Sequence, residues 1–155
     1  MVKPVIHDPI LLARVSEPAV KEDWAVAQDL LETLVYHKEG CVGMAANMIG
    51  IRKNVIIVNM GMLDVVMFNP VILKADGSYE TEEGCLSLPG ESGVTCRPAV
   101  VRVKAQDRNG KWCVYKGEGL KARCFCHEID HLDGILYKDK LDEGEVLYKT
   151  EAETE

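Results

Sequence analysis

With 155 residues, the chain has the length of one domain and can bury roughly 68–70% of its unfolded surface. Hydrophobic residues at 47% and charged residues at 28% exclude a disordered, collagen-like or disulfide-scaffold protein. The net charge of -7 argues against a general affinity for the nucleic-acid backbone, and no stretch approaches the ~20 apolar residues of a membrane span.

The start of the chain, Met1 to Asp8, lacks the apolar core and small-residue cleavage site of a secretory signal. Six cysteines (Cys41, Cys85, Cys96, Cys113, Cys124 and Cys126) are spread along it without secretory features, so reduced thiols and a cytoplasmic location are expected. From about Glu22 to His37, Trp24, Ala27, Leu31, Leu34 and Val35 recur at helical spacing, and Gly40 lies just beyond. The β-branched runs Asn54–Asn59 and Val65–Phe68 follow as strands, the second stopped by Asn69-Pro70. Val100–Ala105 and Trp112–Tyr115 flank Asn109-Gly110, a hairpin signal. A second helix is expected from near Gly119 to Leu132, stopped at Gly134. One domain over 1–149 and a frayed acidic tail over 150–155 complete the reading. The order of elements points to an α+β fold with largely antiparallel strands. Trp24, Trp112, Met60, Met62 and Met67 read as core residues.

The chemistry concentrates in His127-Glu128-Ile129-Asp130-His131, an H-E-x-x-H sequence. On a helix, residues i and i+4 share a face, so both imidazoles can reach one metal ion. Glu128 stands beside the first ligand, where a general base is useful. A solvated, charged helix end is the bland alternative. Leu120, Cys124, Phe125, Ile129 and Leu132 make much of the segment apolar, and buried His and Glu are costly without partners. A catalytic metal usually takes a third protein ligand. No third His or Glu follows at the protease spacing, and His7 and His37 read as surface or packing residues. Cys85, in the Gly-containing turn Glu82–Pro89, is the better candidate.

Glu83-Gly84-Cys85-Leu86-Ser87, together with Cys126–Gly134, resembles the second and third motifs of the peptide deformylases. Cys41–Gly50 resembles their first motif, a Gly-apolar-Gly-apolar-Ala-Ala-x-Gln run. The three occur in the family's order and the likeness spans about Asp8 to Tyr137. The resemblance implies antiparallel sheets around a central helix that carries H-E-x-x-H, with the early helix packed outside. It implies one divalent metal on Cys85, His127 and His131: Fe²⁺ in the cell, Zn²⁺ or Ni²⁺ as other occupants. It implies Glu128 as general acid and base, the Leu86 backbone N–H as an oxyanion donor, and Gly43, Met44, Glu83 and Arg97 at the substrate. The implied reaction removes the formyl group from the N-terminal methionine of newly made polypeptides. The implied partners are the formyl-Met ends of nascent chains, with the ribosome nearby.

Two positions depart from the family pattern. Met48 replaces the glutamine whose amide is implied to donate to the oxyanion, and a thioether cannot donate. Asn47 could supply an amide only if the loop is shifted. Cys126 replaces the glutamine before the first histidine and reads as a small buried thiol, or as a fourth ligand of a structural site. Reduced or altered activity is therefore expected beside the plain reading. The alternatives are a protein that binds formyl-Met peptides without turnover, a deacylase for another N-acyl group, and an H-E-x-x-H peptidase of another kind.

Overall fold

The computed structural model describes residues 1–37, 42–61, 63–85, 87–135 and 148–149. Cys41, Met62, Leu86, Tyr137 and the expected tail 150–155 lie outside the described residues. The elements run α1 (Pro9–Leu12), α2 (Trp24–Tyr36), β1 (Gly43–Ala45), β2 (Val55–Asn59), β3 (Asp64–Asp76), β4 (Tyr79–Cys85), β5 (Leu88–Arg97), β6 (Val100–Gln106), β7 (Trp112–Glu118), α3 (Leu120–Leu132) and β8 (Tyr148–Lys149). A five-stranded sheet has the order β1-β2-β3-β6-β7, and a three-stranded sheet the order β4-β5-β8, all antiparallel. This is the expected α+β fold. Among the described residues no helix is long and apolar enough to cross a membrane.

The uninterrupted apolar run at Val55–Val58 follows from burial on both faces of the larger sheet. Ile56 and Val58 pack toward α3 with Phe125, Cys126 and Leu132, whereas Val55 and Ile57 pack toward α2 with Leu30 and Leu34. A strand with a helix on each side has no use for polar alternation. β6 does alternate: Val101, Val103 and Ala105 are fully buried, with Arg102 between them exposed. α3 thus lies against the sheet as the inner helix and α2 covers the opposite face.

Three local expectations are corrected. The buried stripe of α2 is Ala27, Leu30, Thr33 and Leu34, and Val35 is 53% exposed. The helix is rotated because Thr33 fills a polar niche, donating to the Asp29 carbonyl and accepting from the Lys3 N–H. Trp112 is half exposed at the hairpin, with the Lys104 ammonium over its ring, so it is no core aromatic. The stretch Glu82–Pro89, read as a Gly-containing turn, is the turn end of a two-stranded ribbon, β4 and β5, that spans 79–97. Its alternation is hidden by glycines and charged residues that face a buried polar network.

Asn69 fastens the layers. Its φ of 52° is left-handed, a conformation asparagine tolerates. Its side chain accepts from the Ala19 N–H at 2.8 Å and donates to the Ala19 carbonyl at 3.0 Å and to Gln106 at 2.8 Å. The β3–β6 register shifts just beyond it, between Phe68 and Val71.

α3 meets β7 through Gly117. A Cβ there would lie 2.6 Å from the Phe125 ring and 3.0 Å from the Lys121 backbone. Gly117→Ala is expected to cost ~1–3 kcal/mol, the usual penalty of overpacking. Urea unfolding reads it directly: an unchanged midpoint would mean that the helix can slide away from the strand.

Candidate metal centre and active site

α3 places Cys124, His127, Glu128 and His131 three or four residues apart, hence on one side of the helix. His127, Glu128 and His131 are buried, with 8%, 5% and 0% exposure, so the segment is no solvated helix end. That face of α3 packs on β1 at Gly43, where a Cβ would lie 2.6 Å from the Cys124 sulfur and 3.1 Å from Glu128 Cγ. Only glycine permits this approach.

Cys85 ends β4, and its sulfur lies 3.3 Å from His131 Nε2. One ligand atom from each of Cys85, His127 and His131 falls within 4.8 Å of the others. One sulfur and two imidazole nitrogens suit a borderline or soft divalent cation and exclude a Mg²⁺ or Ca²⁺ site. Cys126 is not in this group. It is 5% exposed and packs in the apolar cluster with Phe125 and Ala122, as a small buried thiol does. The structural-site alternative therefore lacks its fourth ligand among the described residues.

A buried ionic network stands behind the ligands. Glu83 Oε1 accepts from His127 Nδ1 at 2.8 Å. Arg97 grips Glu83 with two bonds, Nε to Oε2 at 2.6 Å and Nη2 to Oε1 at 2.9 Å, and reaches Asp130 with Nη1 at 2.7 Å. The Thr95 hydroxyl also donates to Glu83. Burial alone would raise the Glu83 pKa. The bonds from His127, Arg97 and Thr95 outweigh it and hold Glu83 at about 2. An ionised carboxylate only accepts, so Nδ1 of His127 donates to Glu83, and Nε2 is the nitrogen a metal would take on displacing its proton. Glu83 and Arg97 were expected to face substrate. At 2% and 4% exposure, with their charged atoms engaged on each other, His127 and Asp130, neither offers its charged end to a peptide.

Electrostatics separate the two imidazoles. Burial opposes a charge on His127, yet its bonds to Cys85 and Glu83 and the Glu128 charge hold its pKa up, at about 10. Burial, aided by the positive charges of His127 and Arg97, pushes His131 down to about 3, so this imidazole is neutral as a ligand must be. Burial raises Glu128 to about 7, against the lowering effect of His127. Glu128 Oε1 and His131 Nδ1 are buried without a hydrogen-bond partner among the described residues.

Met48 is 1% exposed in the one-turn helix Ala46–Ile49, and its sulfur accepts from the Ala45 N–H at 3.5 Å. Asn47 cannot stand in for the absent amide: its Nδ2 donates to the His131 carbonyl at 2.7 Å and the Leu12 carbonyl at 3.4 Å. The Met44 side chain is wholly buried in the cluster under α2, which leaves only its backbone for a ligand. Sequence reasoning missed Thr95 and the Arg97–Asp130 pair. The usable signal was the spacing of Thr95 and Arg97, two apart on one strand and so on one face.

Removing one partner of a buried pair strands the other charge. Glu83→Ala is therefore expected to destabilise the protein by ~3–5 kcal/mol at neutral pH. Because folding depresses the Glu83 pKa, its contribution is complete above the ordinary carboxylate range and is lost as pH falls toward about 2. Melting temperatures of the metal-free protein should drop across that interval, and the drop should be shallower in Glu83→Ala. Parallel curves for the two proteins would remove Glu83 from the account.

A family model described as polypeptide deformylase matches residues 4–146. A peptide deformylase of Lachnoclostridium phytofermentans is 42% identical over 147 residues, covering 92% of this chain and 88% of its own length. One of Clostridium beijerinckii is 44% identical over 136 residues, covering 88% and 99%. Among solved structures, a peptide deformylase from Thermus thermophilus superposes with a TM-score of 0.84 at 37% identity, covering 92% of this chain and 87% of that one. A Met-Ala-Ser-bound class I type b enzyme from Acinetobacter baumannii does so with 0.83 at 32%, covering 91% and 99%. With a thiol and the two histidines of H-E-x-x-H gathered at one buried helix, and relatives aligned over nearly the whole length, the chain belongs to the polypeptide deformylase family.

Proposed function

We propose that Cys85, His127 and His131 hold one divalent metal ion, that Glu128 moves the proton, and that residues 1–149 form one catalytic unit. The activity itself follows from family membership: the chain is a metal-dependent hydrolase that removes the formyl group from N-terminal formylmethionine. The observation that carries the site assignment is the convergence of three ligand atoms within 4.8 Å beside a buried carboxylate.

When bound, the cation lowers the pKa of a water molecule and polarises the formyl oxygen. Glu128, raised to about 7 by burial, is suited to take a proton near neutral pH and to give it back. Its unpartnered Oε1 receives the proton from the attacking water. As the C–N bond breaks, the same oxygen protonates the leaving amine, and formate and a free N-terminus result. Glu83 holds His127 in the tautomer and orientation that this requires, and Arg97 holds Glu83. The edge strand β1, at Gly43 and Met44, receives the peptide backbone as an added strand. Met48 supplies packing and no donor, which leaves the oxyanion to backbone N–H groups, with Leu86 the expected one. Fe²⁺ is the proposed resident ion, with Zn²⁺ or Ni²⁺ able to replace it, and the setting is the cytoplasm, near the ribosomes that supply the substrate.

Anaerobically purified, Fe²⁺-loaded protein should deformylate formyl-Met-Ala-Ser, lose the activity to a chelator and regain it with Fe²⁺. Glu128→Ala should bind the metal and fall by at least ~10²-fold in kcat, within the range that a positioned general base contributes. Turnover that survives this substitution would refute the role given to Glu128.

A further inference from the structure

The N-terminal segment touches all three motif segments. The Ile6 N–H donates to the Met48 carbonyl at 2.7 Å, and His7 Nδ1 lies 3.1 Å from the Ser87 carbonyl, two residues past Cys85. Farther on, the Leu12 carbonyl accepts from Asn47, and the Ser16 N–H donates to the Leu132 carbonyl at 2.8 Å. Ile6 and His7 are consecutive, so one dipeptide spans from the first motif to the second.

Both anchored segments need an external hold. The Ala46–Ile49 turn is a single 3₁₀ turn, the weaker helical geometry. The β4–β5 ladder loses register between Glu83 and Cys85 and resumes with the pair Cys85–Leu88, so Ser87 lies in the tight turn that this pair closes, outside the ladder itself. His7 adds a side-chain contact to that turn, at the Ser87 carbonyl. The imidazole itself is exposed and plays no part in core packing.

We propose that the Ile6–His7 dipeptide is a brace for the active site, and that His7 is a positioning residue. Its Nδ1–H bond to Ser87 sets the segment that carries Cys85 against α3, while the Ile6 bond sets the Met48 turn. His7 touches neither substrate nor metal and acts through Cys85. The assignment rests on the ligand set proposed above.

The test compares parent, His7→Phe and His7→Asn. Phenylalanine keeps a ring without the donor, and asparagine Nδ2 reproduces the position of Nδ1. Two quantities are read: kcat and KM for formyl-Met-Ala-Ser with Fe²⁺-loaded protein, and the rate at which Co²⁺-loaded protein loses cobalt to excess chelator. The second needs no turnover, so a parent that fails to deformylate would sink the functional reading and leave the brace testable. His7→Phe should lower kcat five- to tenfold, about the worth of one hydrogen bond, with KM within twofold. Cobalt loss should quicken at least fivefold, and His7→Asn should restore both within twofold. Should His7→Phe not fold, Ile6→Pro removes the other bond and should give the same pair of changes. In the double variant the effects should not add, because either loss already releases the brace. Parent-like behaviour on either readout, failure of asparagine to rescue, or full additivity would overturn the proposal.

Discussion

A carboxylate almost sealed from water must be met by donors on every side, and Glu83 is met by Arg97, Thr95 and His127. The site depends on this constraint. Leaving the charge unmatched would cost several kcal/mol, so the donors are held as firmly as the fold itself. One of them, His127, is a proposed metal ligand. The pairing fixes which nitrogen of His127 is protonated, which way its ring faces, and hence where the ligand nitrogen points. Arg97 extends the chain of contacts to Asp130, inside H-E-x-x-H, so the ribbon that carries Cys85 and the helix that carries the histidines are joined by charge.

The arrangement divides labour between fixed and adaptable parts. Helix α3 and the ionic network, both buried, hold the proposed histidine ligands and base. The proposed oxyanion side includes the short turn Ala46–Ile49, where Met48 is one of the chain's two departures from the family pattern; the other, Cys126, lies on α3. Met48 turns its sulfur to a neighbouring N–H and joins the apolar cluster beneath α2. A change of side-chain chemistry was absorbed at a place where backbone groups can share the task, while the ligand set kept its identity.

Much of this was legible in the residues. Histidines at i and i+4 flanked by apolar positions determine a buried helical face, and they lie where that periodicity puts them. The thiol could be named because its motif accompanies the other two. The β4–β5 ribbon was not legible, because its polar residues face a buried ionic network and so imitate a loop. Arg97 misled for the same reason: long charged side chains are rarely buried, and its partners are distant in sequence, at positions 83 and 130. The face of α2 was misjudged by about one residue, since Thr33 is buried for its two hydrogen bonds and hydrophobicity does not record them. Trp112 was misplaced because an aromatic on a hairpin can be held from outside by a lysine.

Two of the buried polar atoms that lack a partner among the described residues, Glu128 Oε1 and His131 Nδ1, have a thermodynamic meaning beyond catalysis. Each weakens the metal-free fold, because a buried polar atom forgoes its bonds to water. Any cation that binds the folded form and not the unfolded one returns that stability by mass action. A divalent cation held by Cys85, His127 and His131, as proposed, would therefore add to the stability of the fold as well as supply its chemistry.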